Sequence, residues 1–152
     1  MAFEKSNILL VEDEPSHVEL TIRAIRKAGN TNKIVAVEEG EEALDYLLNR
    51  NKYEDRDLYS KPGLILLDIK LPGMDGIDVL KKIKENKELR RIPVVMLTTS
   101  GRREDINKSY DFYANSYLVK PVNSRDFAEK ISQLKLYWML VNQAPEIEDI
   151  KL

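Results

Sequence analysis

The sequence predicts an α/β domain: a five-stranded parallel sheet with helices on both faces. Three observations carry this. Short unbroken apolar runs recur along the chain, an acidic or turn-rich segment follows most of them, and apolar residues at helical spacing come next. A run of four or five apolar residues without polar alternation is what a strand covered on both faces requires. With 152 residues and no internal repeat or low-complexity segment, the chain is sized for one domain.

The elements follow in order. Ile8 to Val11 is the first strand, stopped by Glu12, Asp13 and Glu14. Pro15 suits the first turn of a helix, and Val18, Ile22, Ile25 and Ala28 keep helical spacing until Gly29. Lys33 to Val37 is the second strand. Glu41 to Asn49 is the second helix, with Ala43, Leu44, Leu47 and Leu48 as its apolar stripe. The polar stretch Arg50 to Gly63 is expected to be a loop that folds back on the domain through Tyr53, Leu58 and Tyr59.

Leu64 to Leu67, the most apolar strand, ends at Asp68. The turn-rich Leu71-Pro72-Gly73-Met74-Asp75-Gly76 then leads into a helix through Ile77, Leu80 and Ile83 that closes near Asn86. Pro93 to Leu97 is the fourth strand, Glu104 to Tyr113 a modest helix, and Ser116 to Val119 the fifth strand, closed by Lys120-Pro121. Asn123 or Ser124 caps a final helix through about Leu140. The division expected is a domain over residues 1–140 and an acidic tail over 141–152.

Composition narrows the chemistry. There is no cysteine, which excludes disulfides, thiolate metal sites and thiol redox chemistry. Twenty-four basic residues against 26 acidic ones give a formal charge of −2, unsuited to broad attraction to nucleic acid or an anionic membrane. No apolar run approaches the roughly 20 residues of a membrane span, and no signal sequence is evident at the start, so a cytoplasmic protein is expected.

In a parallel sheet, ligands bind at the carboxyl ends of the strands. Glu12 and Asp13 follow the first strand, Asp68 the third, Thr98 the fourth and Lys120 the fifth, so all are expected on one rim. Clustered carboxylates form a hard oxygen site that favours magnesium, or manganese, over softer metals, and Lys120 supplies a point charge against their mutual repulsion. With a hydroxyl at Thr98, the set looks built to hold a phosphoryl group while Asp68 acts as nucleophile.

These residues also carry a resemblance. The segments ILLVED, LILLDIKLPGMDG, IPVVMLTTS and YLVKP, in that order, resemble the receiver domains of two-component response regulators, from about Ser6 to about Leu136. The resemblance implies a flavodoxin-like sheet of order 2-1-3-4-5, as in chemotaxis regulators of this family. It implies Asp68 as phosphoacceptor, and Glu12, Asp13 and Asp68 with the Lys70 backbone carbonyl as metal ligands. Thr98 falls on the switch hydroxyl, Tyr117 on the conformation-reporting aromatic and Lys120 on the phosphate-contacting lysine, with a cis bond expected at Lys120-Pro121. Phosphorylation is then expected to draw Thr98 toward the phosphate, let Tyr117 turn inward, and remodel the surface of the fourth helix, fifth strand and fifth helix.

Three departures stand out. Glu12 replaces the aspartate of many members, Thr99 stands where many have alanine, and Lys70 lies where it can alter the lifetime of the phosphoryl group. The Asn51 to Gly63 insert, Thr98-Thr99-Ser100, Asp105 with Tyr110-Asp111, and Tyr137-Trp138 are similar to regulators that serve phytochrome-type histidine kinases. That implies a sensor histidine kinase as partner, a homodimer through the fourth helix, fifth strand and fifth helix, and partner contact at Tyr137 and Trp138. Nucleic acid and membrane are not expected partners.

Other readings compete. His17, the only histidine, has no second ligand beside it in sequence and reads as a surface or partner-facing residue. Lys81, Lys82, Lys84, Lys87, Arg90 and Arg91 interleave with Glu85 and Glu88 and read as a solvated face. A magnesium-dependent phosphatase of the haloacid-dehalogenase type needs a second aspartate two residues after its nucleophile, and Lys70 occupies that position. A phosphorylation-independent interaction module with the receiver fold is the main alternative.

Overall fold

The computed structural model describes residues 7–120, 125–127 and 129–133. Five parallel strands, β1 (Ile8–Val11), β2 (Ile34–Val37), β3 (Leu64–Leu67), β4 (Val94–Thr98) and β5 (Ser116–Val119), form one sheet in the order β2-β1-β3-β4-β5. β1 lies between β2 and β3, with Ile8 beside both Ile34 and Leu64. The connecting helices are α1 (Pro15–Lys27), α2 (Gly40–Leu47), α3 (Gly76–Glu85) and α4 (Arg103–Asp111). This is the predicted flavodoxin-like order.

Alternation along the strands builds two cores. Leu9, Val11, Ile65, Leu67, Val94 and Met96 point to the side covered by α2 and α3. Ile8, Leu10, Leu64, Leu66, Val95 and Leu97 point to the side where Ala24 and Ile25 of α1 and Phe127 and Ile131 pack. The three central strands are fully buried, as their unbroken apolar runs demand. β2 and β5 differ: each has a neighbour on one side only, so their residues are mostly half-exposed despite similar sequences.

Helix starts follow local chemistry. The Glu14 side chain accepts from the Ser16 backbone N–H at the head of α1, with Pro15 in the first turn. Asp75 does the same for α3 by accepting from Asp78 at 3.0 Å. The final helix appears over residues 125–127 and 129–133. Its expected cap at Asn123 or Ser124, the peptide bond to Pro121, Tyr137, Trp138 and the 141–152 tail all lie outside the described residues.

The insert before β3 does fold back. It opens with a single 3-10 turn, Asn51–Tyr53, and buries Tyr53 edge-on against Tyr46 and Tyr59, with ring centroids 5.2 and 5.0 Å away. Asn49 donates to the carbonyls of Tyr53 and Tyr59 and so closes the loop. Leu58, expected to join this packing, is 57% exposed instead: Asp55 caps the backbone N–H of residues 57 and 58 and turns the chain outward. The basic stretch is also less uniform than expected. The Lys84 ammonium donates to the carbonyls of Arg90 and Ile92, clamping the segment that enters β4.

Candidate functional site

The carboxyl ends of β1, β3, β4 and β5 meet at one rim. Glu12 leaves β1, Asp68 leaves β3, Thr98 ends β4 and Lys120 leaves β5, and all four are buried. A carboxylate or ammonium survives in such a place only with partners. Here the partners are each other. Lys120 Nζ donates to Asp68 Oδ2 at 3.1 Å and also to Glu12 Oε1. The Lys70 backbone N–H donates to Asp68 Oδ1 at 3.3 Å, and the Glu14 N–H to Glu12 Oε2 at 3.1 Å.

The two carboxyls are driven apart electrostatically. For Asp68, burial alone would raise the pKa, but the Thr98 hydroxyl and the Lys120 ammonium outweigh it and hold the group below the ordinary carboxylate value. For Glu12, burial dominates, the neighbouring Asp68 charge adds to it, and Lys120 only partly offsets them, so the group sits above its ordinary value. Asp68 is therefore the carboxylate kept ionised, which is the condition for a nucleophile.

Among the described residues, no three acidic, histidine or cysteine side chains converge as a ready-made metal cluster. The expected ligands all lie at the rim, but not yet gathered on one point. Glu12 and Asp68 turn to Lys120, while Asp13 stands exposed beside them. The donor chemistry still fits a hard divalent cation: three carboxylates against one ammonium leave an excess of negative charge, and every donor is oxygen. Lys70 and Thr99 are both exposed at the rim.

Tyr117 is already turned in. Its ring packs against the core on the α2 and α3 side, and its hydroxyl donates to the Ser100 carbonyl at 2.7 Å. The inward position expected to follow phosphorylation is thus the position it holds. Ser100 enters the sequence reading only as the last residue of Thr98-Thr99-Ser100, with no role of its own. Its N–H donates to Thr98 Oγ1 at 3.3 Å and its hydroxyl to Asp105 at 2.6 Å, so one residue ties the end of β4 to α4. The sequence signal was weak: a serine in a turn is usually local capping.

His17 also departs from the surface reading. Its Nδ1 lies 3.2 Å from Lys120 Nζ and 3.8 Å from Glu12 Oε1, although the side chain remains 36% exposed. Its position in the first turn of α1, directly after the acidic loop, was the available clue.

Comparison with known proteins agrees with this geometry. The profile of the response regulator receiver domain matches residues 8–132. The probable methanogenesis regulatory protein FilR2 of Methanothrix harundinacea is 41% identical over 138 residues, covering 91% of this chain and 86% of that protein. The crystal structure of the phosphorylated cyanobacterial phytochrome response regulator RcpA superposes with a TM-score of 0.82 at 36% identity, covering 90% of this chain and 95% of that one. The Mn(2+)-bound form of response regulator Rcp1 superposes at 0.79 with 35% identity, covering 88% and 94%.

Proposed function

The chain belongs to the response regulator receiver family, and from that premise we propose that it accepts a phosphoryl group from a histidine kinase onto Asp68. Acceptance of phosphate from a histidine kinase is the general function of receivers. The observation that carries the residue assignment is the buried Asp68 carboxylate, held ionised at the end of β3 with the Lys120 ammonium 3.1 Å away. An Asp68 oxygen attacks phosphorus, the phosphorus–nitrogen bond of the donor phosphohistidine breaks, and its electron pair stays on the imidazole. Lys120 and the Thr98 hydroxyl are the groups that meet the phosphoryl oxygens.

Magnesium, or manganese, is the cofactor in this reading, held by Glu12, Asp13, Asp68 and the Lys70 carbonyl. Bound there, it would neutralise charge on the transferring phosphoryl group. Glu12, longer than aspartate, can reach it through a water. Lys70 and Thr99 border the site and set how fast the acyl phosphate is hydrolysed, so the only turnover is slow self-dephosphorylation. The likeness to RcpA supports a phytochrome-type kinase as donor. Output runs through protein contacts of α4, β5 and the final helix, including a homodimer, in the cytoplasm.

The test is intact mass after incubation with acetyl phosphate and magnesium. A single phosphate adduct that is absent from Asp68→Asn is expected. No adduct, or the same adduct on that variant, overturns the assignment.

A further inference from the structure

We propose that His17 is a positioning residue for Lys120, holding its ammonium beside Asp68 through an imidazole lone pair. The inference rests on the phosphoacceptor reading above. It goes beyond it by giving a role to a side chain outside the phosphate and metal set.

Lys120 has three N–H donors and no acceptor. Three acceptors surround it: Glu12 Oε1, Asp68 Oδ2 at 3.1 Å and His17 Nδ1 at 3.2 Å. For Nδ1 to accept from the ammonium it must present its lone pair, and that role therefore places the imidazole proton on Nε2. Glu12 and Asp68 pull the ammonium along the rim between β1 and β3, and both are acids that a metal or a phosphoryl group would also engage. His17 is the one of the three that is not a carboxylate. It comes from a different element, the first turn of α1. A buried lysine otherwise retains a long flexible stem, and restricting it before the reaction is what electrostatic preorganisation requires.

Two variants of the full chain separate this role from mere packing. His17→Leu keeps the bulk and removes the acceptor. His17→Asn shortens the ring but places Oδ1 near the position of Nδ1. With acetyl phosphate and saturating magnesium, His17→Leu should lower the maximal phosphorylation rate about three- to tenfold, the worth of one ordinary hydrogen bond made by a part-exposed side chain. The donor concentration at half-maximal rate and the thermal midpoint should stay near the wild-type values, and His17→Asn should recover the rate to within about twofold. Nitrogen-15 NMR reads the same contact without any phosphorylation: His17 should be the Nε2–H tautomer, and the Lys120 ammonium should be protected from exchange in the wild type and in His17→Asn but not in His17→Leu.

A Leu variant as fast as wild type, an Asn variant as slow as Leu, or a proton on Nδ1 overturns the proposal. If the wild type takes no phosphate at all, the phosphoacceptor reading falls, and the NMR measurements alone decide whether His17 holds Lys120.

Discussion

The Tyr117 hydroxyl donates to the Ser100 carbonyl at 2.7 Å, bridging β5 to the loop after β4. That loop is also pinned by the Ser100 hydroxyl on Asp105 at 2.6 Å. Two side chains thus restrain one residue, whose N–H bonds the Thr98 hydroxyl. Tyr117→Phe and Ser100→Ala should each cost about 1 kcal/mol in urea unfolding, and the double variant less than their sum. Amide exchange should quicken at residues 100–102 in each. Strictly additive losses would show that the two bonds do not act on one unit.

Lys120 faces two buried carboxylates, so removing the lysine and removing a carboxylate should have opposite signs. Lys120→Met leaves Glu12 and Asp68 uncompensated and should cost about 3 kcal/mol or more. Glu12→Gln removes the acid that burial and the Asp68 charge disfavour as an anion and should be neutral or stabilising by about 1 kcal/mol. The Lys120→Met deficit should shrink in acid, with Glu12 protonating first because burial holds its pKa up. Chemical denaturation without added divalent metal measures all three, and destabilisation by Glu12→Gln would show that the pair is not in excess negative charge.

Gly76 matters for room and Gly73 for backbone angle. A Cβ at Gly76 would stand 1.9 Å from the Asp68 carbonyl oxygen, where the start of α3 is bonded to Ile69 at 2.7 Å. Gly73 has open space but φ of +73°. Gly76→Ala should therefore cost about 3 kcal/mol or more and disturb Asp68, while Gly73→Ala should cost about 1 kcal/mol and leave phosphorylation intact. Equal losses in thermal unfolding would contradict this division.

These cases show what a sequence can and cannot display. β1, β3 and β4 were legible because strands buried on both faces must be apolar throughout, and Asp68 because an acid directly after Leu64–Leu67 is costly without partners. The half-exposure of β2 and β5 was not, since position in a sheet depends on order rather than on local composition. His17 and Lys120 lie 103 residues apart, and their meeting depends on how α1 leaves the rim. Gly76 read as an ordinary turn residue because the atom it must avoid belongs to the backbone eight positions earlier.

The insert before β3 yields a prediction with a definite pH sign. Tyr53 donates its hydroxyl to Glu42 at 2.5 Å, and Lys52 pairs with the same carboxylate at 3.1 Å. Burial alone would raise the Glu42 pKa, but these two partners outweigh it and hold it below the ordinary value. A carboxyl whose pKa is lower folded than unfolded adds stability above the unfolded value and loses it as pH falls through the folded one. Tyr53→Phe keeps the ring against Tyr46 and Tyr59 and removes only the hydroxyl. It should cost about 1 kcal/mol at neutral pH, and the gap from wild type should close as Glu42 protonates in acid. The Tyr53 hydroxyl, raised by burial and then by Glu42, stays protonated past the ordinary phenol range, so the gap should not narrow in mild alkali. Unfolding curves for the two proteins across acid and mildly alkaline pH measure it. A gap that persists undiminished in acid would mean that the Tyr53 hydroxyl stabilises the insert through something other than the ionised Glu42.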